Sequence, residues 1–303
     1  MAAPSGPAIE KPEQDADAFV MADGARLPFR SWLPEGEPQA ILLALHGFND
    51  SRNAWSFAAP DFAKSGIAVF APDQRGFGAA PGRGLWPGSE SLVDDADTMA
   101  KLLHQRFPGV RLYVMGESMG GAVAMLLATQ RSPPVAGYIL SAPAVWGRIR
   151  MNIAMQSGLW FIATFLPGMT VSRSPVPITP TDNRDALIRL SRDPLTVRAT
   201  RFDTLRGLVD LMDAALAAAP GFHAPGLFLY GGHDDLVPPK ATLAIWQTLP
   251  PTAIRAFYPQ GYHLLPSDLG RAAPIGDITA WILQGREPTE AENAASVWLA
   301  SQA

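Results

Sequence analysis

Ser118 lies in Gly116-Glu117-Ser118-Met119-Gly120, directly after the apolar run 112–115 and before the small apolar stretch 121–129. That order predicts a strand, a sharp turn and a helix, with the serine at the apex. The backbone at such an apex is strained, so small flanking residues are required. The turn lifts the hydroxyl clear of the sheet and aims the helix N-terminus at the reacting centre. A serine hydroxyl is a weak nucleophile near neutral pH. It needs an imidazole base within hydrogen-bond reach, and the base needs a carboxylate to orient it. The chemistry to look for is acyl transfer.

Five histidines are available as the base. With a serine on this kind of turn the chain order is serine, acid, histidine. His46 precedes the serine, and His104 belongs to the helix before the serine strand. His223 comes before a strand rather than after one, and His233 adjoins the candidate acid. His263 remains, in a loop just after the run 254–258. The acid should follow the run 227–230, where Gly231-Gly232-His233-Asp234-Asp235-Leu236-Val237-Pro238 offers two carboxylates. Asp234 is the expected acid, with Asp235 capping the next turn or facing solvent. The developing oxyanion needs two backbone N–H donors. Met119, the residue after the nucleophile, should supply one. Phe48, in His46-Gly47-Phe48 at the end of the run 40–45, should supply the other. His46 is expected to be a buried imidazole that ties down this loop.

These residues must be held by a scaffold. Short apolar runs at 40–45, 67–70, 112–115, 135–140, 227–230 and 254–258 alternate with helical patterns at 92–107, 121–129, 241–249 and 275–283. A hairpin is expected around Asp23-Gly24. The alternation predicts an α/β fold, with a mostly parallel central sheet and helices on both faces. In such sheets chemistry gathers beyond the carboxyl ends of the strands, which is where each motif above falls. The alternation breaks between about 146 and 220, where no strand is evident and helices are expected at 183–192 and 203–218. Residues 147–220 are therefore read as a helical cap inserted into a core of 18–146 and 221–303. Residues 1–17, rich in proline and charge, read as a flexible tail.

Composition narrows the function. The 303 residues are 48% hydrophobic and only 17% charged, with net charge −4. No basic stripe with interleaved aromatics points to nucleic acid. There is no cysteine, so disulfides, thiol catalysis and cysteine-based metal sites are excluded. No metal-ligand motif or phosphate loop is present, and Arg75-Gly76-Phe77-Gly78 lacks the rest of a dinucleotide fingerprint, so no cofactor is expected. The first residues hold no apolar leader, which predicts a cytoplasmic location. Residues 151–172 are free of charge and long enough to span a membrane. Pro167-Gly168 and their position inside an unfinished sheet argue against that.

Taken together, the motifs resemble the α/β-hydrolase superfamily, and within it the monoacylglycerol lipase and lysophospholipase branch. The matching pieces are His46-Gly47-Phe48, Asp73-x-Arg75-Gly76-x-Gly78, Gly116 to Gly121, Leu140-Ser141-Ala142-Pro143, Tyr230-Gly231-x-x-Asp234-x-x-Val237-Pro238 and Gly261-Tyr262-His263-x-Leu265. The resemblance implies serine hydrolysis of carboxylic esters by Ser118, Asp234 and His263, with monoacyl lipids as the expected substrates. The chain departs from that branch at Asn49-Asp50-Ser51-Arg52, where those lipases often carry a Glu-His pair. A small-ester or aminopeptidase-like amide hydrolase is the alternative, and a non-catalytic binding protein on the same fold a more remote one. Met155, Leu159, Trp160, Phe161 and Phe165 are candidates to line an acyl pocket or to bring the cap to a membrane surface. Burial against the core is the competing reading of the same residues.

Overall fold

A computed structural model describes residues 5–148, 151–172 and 178–302. Residues 1–4 of the expected tail, 149–150 and 173–177 of the expected cap, and the last residue lie outside it. The chain opens with β1 (Glu13–Gln14), β2 (Ala18–Val20) and β3 (Arg26–Trp32), which pair antiparallel in turn. The hairpin around Asp23-Gly24 is formed by β2 and β3. Residues 5–14 are not loose: Ile9 N–H and Glu10 N–H donate to the Ala22 carbonyl, and Gly6 N–H donates to Asp23. Proline and charge signal exposure there, but edge pairing satisfies the backbone all the same.

The core continues through β4 (Ala40–Leu45), α1 (Ala59–Lys64), β5 (Ile67–Pro72), α2 (Ser89–Arg106), β6 (Arg111–Glu117), α3 (Met119–Gln130) and β7 (Gly137–Ser141). Next come α4 (Ile153–Phe165), β8 (Thr170–Val171), α5 (Arg184–Arg192), β9 (Thr200–Arg201) and α6 (Phe202–Ala218). The core resumes with β10 (Gly226–Gly231), α7 (Pro239–Thr248), β11 (Ile254–Tyr258), α8 (Ala272–Gln284) and α9 (Thr289–Ser301). Among the described residues the main sheet has nine strands in the order β1-β2-β3-β5-β4-β6-β7-β10-β11, and every pairing from β5 to β11 is parallel.

Both faces are covered. In β4, Ile41, Leu43 and Leu45 enter one apolar cluster, with α2, α3, α6 and α7. Ala40, Leu42 and Ala44 enter the other, with α1 and α8. This alternation of period two, with all six residues buried, is what a strand between two helical layers requires. Two features of the fold escape the sequence pattern. The region expected to lack strands contains the two-residue pair β8–β9, too short to leave a periodic signal. Residues 289–301, for which the sequence pattern marks no element, form α9, whose Trp298 packs on Tyr230, Trp246 and Phe257 at ring distances of 5.2–5.5 Å.

The register lines up the carboxyl ends of the central strands. Leu45 pairs with Gly116, Glu117 with Ser141, Leu229 with Ser141, and Gly231 with Tyr258. The loops that carry Phe48, Ser118, Asp234 and His263 therefore leave one edge of the sheet.

Candidate active site

Ser118 stands between β6 and α3 with φ 53° and ψ −114°, a region that side-chain-bearing residues rarely adopt. The helix packs close behind it: a Cβ at position 120 would come within 2.2 Å of the Leu45 carbonyl oxygen. Glycine at that position is what lets α3 start immediately after the strand. Ser118 N–H donates to the Ser141 carbonyl at 3.0 Å, and the Ser118 carbonyl accepts from Ala122 and Ala144. Neighbouring secondary structure thus holds the strained backbone from both sides.

In the loops after β10 and β11, His263 Nδ1 lies 2.8 Å from Asp234 Oδ2. Both residues are buried. The carboxylate can only accept, so Nδ1 carries the proton and Nε2 keeps a lone pair. The second oxygen, Asp234 Oδ1, accepts from the Leu236 and Val237 N–H groups, each at 2.8 Å. The turn-capping role considered for Asp235 belongs to Asp234, and Asp235 is exposed. Close approach of the two loops depends on Gly231, where a Cβ would lie 2.5 Å from the Gly261 carbonyl oxygen. Burial pulls the His263 pKa down, but the charge and hydrogen bond of Asp234 outweigh it and leave the imidazole above its ordinary value.

The loop after β4 adjoins the serine: a Cβ on Gly47 would be 3.5 Å from Ser118 Cβ. Residues 47–50 form a turn closed by Asp50 N–H donating to the Gly47 carbonyl at 3.3 Å, with Asn49 at φ 62°. Phe48 is the second residue of that turn and Met119 the first of α3. Among the described residues no acceptor faces either N–H. His46, fully buried, sits behind them. Its Nε2 accepts from Gln74 N–H at 3.1 Å, and its Nδ1 lies 2.8 Å from the Gly47 carbonyl. Burial holds this imidazole below the usual histidine range. It is a neutral brace for the loop, as its sequence position suggests.

The family described as serine aminopeptidase, S33 matches residues 36–270. The chain belongs to this family. A monoacylglycerol lipase of Mycolicibacterium smegmatis is 24% identical over 279 residues, which cover 88% of this chain and 96% of the relative. A monoglyceride lipase of Mus musculus is 26% identical over 284 residues, covering 89% and 91%. Among solved structures, a soluble variant of monoglyceride lipase from Saccharomyces cerevisiae in complex with a substrate analog aligns with TM-score 0.73 at 22% identity, covering 91% of this chain and 98% of that one. The fold is that of an α/β-hydrolase, and the family makes the chain a serine hydrolase.

Several residues at this hydrolase site give no clear sequence signal. Glu117, next to the serine, is buried, and burial pushes its carboxyl up to about 8 against the pull of the His263 charge. A charged residue type directly after the apolar run 112–115 and Gly116 is the one sign that could have marked it. Arg189 of α5 donates through both terminal nitrogens to Asp50, at 2.8 and 2.9 Å. Their separation of 139 positions hides the pair from any local pattern.

The cap candidates divide. Leu159 is half-buried and packs against the core with Met151. Met155, Trp160, Phe161 and Phe165 are exposed, at 53–60% of their free surface, so they are neither core nor the wall of an enclosed pocket. The only fully buried residue of α4 is Ala163. No helix among the described residues is long and apolar enough to cross a membrane.

Proposed function

We propose that this chain hydrolyses carboxylic esters of monoacyl lipids, monoacylglycerols or lysophospholipids, through an acyl-enzyme on Ser118. The reading rests above all on the 2.8 Å bond between His263 Nδ1 and Asp234 at the sheet edge that carries the strained serine. His263 Nε2 takes the proton as Ser118 Oγ attacks the ester carbonyl. Asp234 fixes the tautomer and stabilises the imidazolium. The N–H groups of Phe48 and Met119 receive the oxyanion. The alcohol departs with the proton from His263. A water deprotonated by the same nitrogen then releases the fatty acid and frees the serine.

The lipid assignment is supported by the relatives' names and by the exposed apolar side chains of α4, which would seat the cap at a lipid surface. Core residues 18–146 and 221–303 would then carry the chemistry, and the cap 147–220 the substrate preference. Amide hydrolysis is the second reading, favoured by the family's aminopeptidase description. A panel of monoacylglycerols, lysophospholipids, short p-nitrophenyl esters and aminoacyl amides separates the two. Turnover confined to the amides would overturn the ester reading. A fluorophosphonate should label Ser118, and Ser118→Ala should abolish turnover with the fold kept. Asp234→Asn should cost up to about 10⁴-fold in kcat, because an amide favours the wrong histidine tautomer. Asp235→Asn should cost little; the reverse order would reassign the acid.

A further inference from the structure

The turn that carries Phe48 is held from the cap as well as from the core. Arg189 grips the Asp50 carboxylate with two parallel hydrogen bonds, and both side chains are largely withdrawn from solvent. One helical turn further along, Asp193 Oδ2 accepts from Ser51 Oγ at 3.2 Å and from Asn53 Nδ2 at 3.0 Å. Asn49 is held on two sides: its carbonyl accepts from Val197 N–H at 2.8 Å, and its amide donates to Thr200 Oγ1 at 2.6 Å. Four of the five residues after Phe48 are thus bonded to residues 189–200. The same cap segment reaches the base. Leu264 N–H donates to the Pro180 carbonyl at 2.9 Å, and Asn183 Nδ2 donates to the Ser267 carbonyl at 2.7 Å.

The core holds the two ends of this segment, through His46 Nδ1 at the Gly47 carbonyl and through Asp73, which accepts from Arg52 N–H at 2.7 Å, and leaves residues 48–51 less firmly held. The closing hydrogen bond of the turn is 3.3 Å long, and Asn49 is in a left-handed conformation with other wells open to it. Rotation of the 47–48 peptide would turn the Phe48 N–H away from the serine. A bidentate arginine–carboxylate pair in a mostly dry site fixes angle as well as distance.

We propose that Arg189 is a positioning residue: through Asp50, and with Asp193 acting on Ser51 and Asn53, it holds the Phe48 N–H toward the oxyanion, so that docking of cap residues 180–200 sets the rate of acyl transfer. This rests on the assignment of Ser118 and Phe48 made above. The helix that presents lipid-seeking side chains and the segment that braces the oxyanion turn are then different parts of one cap. Substrate preference and catalytic competence can vary separately.

The test compares wild type, Arg189→Met, Arg189→Lys and the Ser51→Ala/Asn53→Ala double variant on a soluble p-nitrophenyl acetate, too small to need the cap for binding. Arg189→Met should lower kcat about 10²-fold, the scale of losing one oxyanion donor, with KM within about threefold. Affinity for a boronic acid, whose serine adduct presents the tetrahedral oxyanion, should fall in parallel. Arg189→Lys should recover part of the loss. The Ser51/Asn53 double variant, which breaks the second arm and leaves Arg189 paired, should lose about tenfold in the same sense. It decides the question if Arg189→Met does not fold. Unchanged kcat, or a raised KM with kcat intact, would overturn the proposal. Wild type unreactive to a fluorophosphonate at Ser118 would overturn the proposed function instead. Wild type reactive, with fully active clamp variants, would overturn the clamp alone.

Discussion

His263 feels two opposed influences, and the outcome can be read in a pH profile. Burial favours the neutral ring, while Asp234, with Glu117 and Asp268 further off, favours the imidazolium, and the carboxylates win. The base works only when neutral. The acidic limb of kcat/KM should therefore rise with pH through a midpoint above the ordinary histidine value of 6.5. In Asp234→Asn the largest of the raising charges is gone, so the midpoint should move to lower pH while the plateau falls. A midpoint that stays in place in that variant would show that Asp234 does not govern the titrating group. At this scale the sequence is most informative where function is local. Ser118 is legible because an elbow needs glycine around a strained serine within five consecutive positions. Asp234 and His263 are legible because each follows a strand directly. Arg189 and Asp50 are not, because their relation exists only after the chain has folded back on itself.

Among elements, the central strands are readable because burial on both faces leaves unbroken apolar runs such as Ala40–Leu45. The failures lie at the periphery. Helix α9 hides because only Ala291 and Ala295 are fully buried and its remaining face is mixed. Its largest contact with the core is one ring. Trp298 contacts Tyr230, whose hydroxyl in turn donates to the Val237 carbonyl at 2.8 Å in the loop that carries Asp234. Trp298→Ala should cost about 2–3 kcal/mol in urea unfolding, at the lower end for an aromatic truncation because the ring is only half-buried. A loss below about 0.5 kcal/mol, the range of ordinary surface changes, would mean that α9 does not dock as described. The tail is a similar case: Glu13–Gln14 is too short to show a period, yet it pairs with β2.

For the molecule as a whole, the conspicuous asymmetry is an uncharged helix, α4, that shows Ile153, Met155, Trp160, Phe161 and Phe165 to solvent, on a chain whose net charge is −4. An apolar patch of this kind marks an interaction surface rather than a solvated face. Attraction to anionic headgroups would have to oppose the net charge, so binding through α4 should be driven by apolar burial. The protein should co-sediment with zwitterionic phosphatidylcholine vesicles, with little loss on raising salt. Trp160→Ser with Phe161→Ser should weaken that binding and reduce activity on long-chain monoacyl esters, leaving a soluble acetate ester almost unaffected. Equal losses on both substrates, with a lowered Tm, would show instead that the two rings support the fold.

The place where the cap interrupts the sheet has a consequence for synthesis. β7 pairs with β6 on one side and with β10 on the other, and residues 142–225, which include the proposed cap, are encoded between them. On the ribosome β7 emerges while its second partner does not yet exist. At about 5–20 residues per second the wait is on the order of 10 s. Throughout it the outer edge of Tyr138, Ile139 and Leu140 offers unpaired N–H and carbonyl groups beside apolar side chains, the arrangement that invites pairing with another chain. The segment between β7 and β10 thus leaves the nascent chain with an open strand edge for as long as the ribosome takes to cross it.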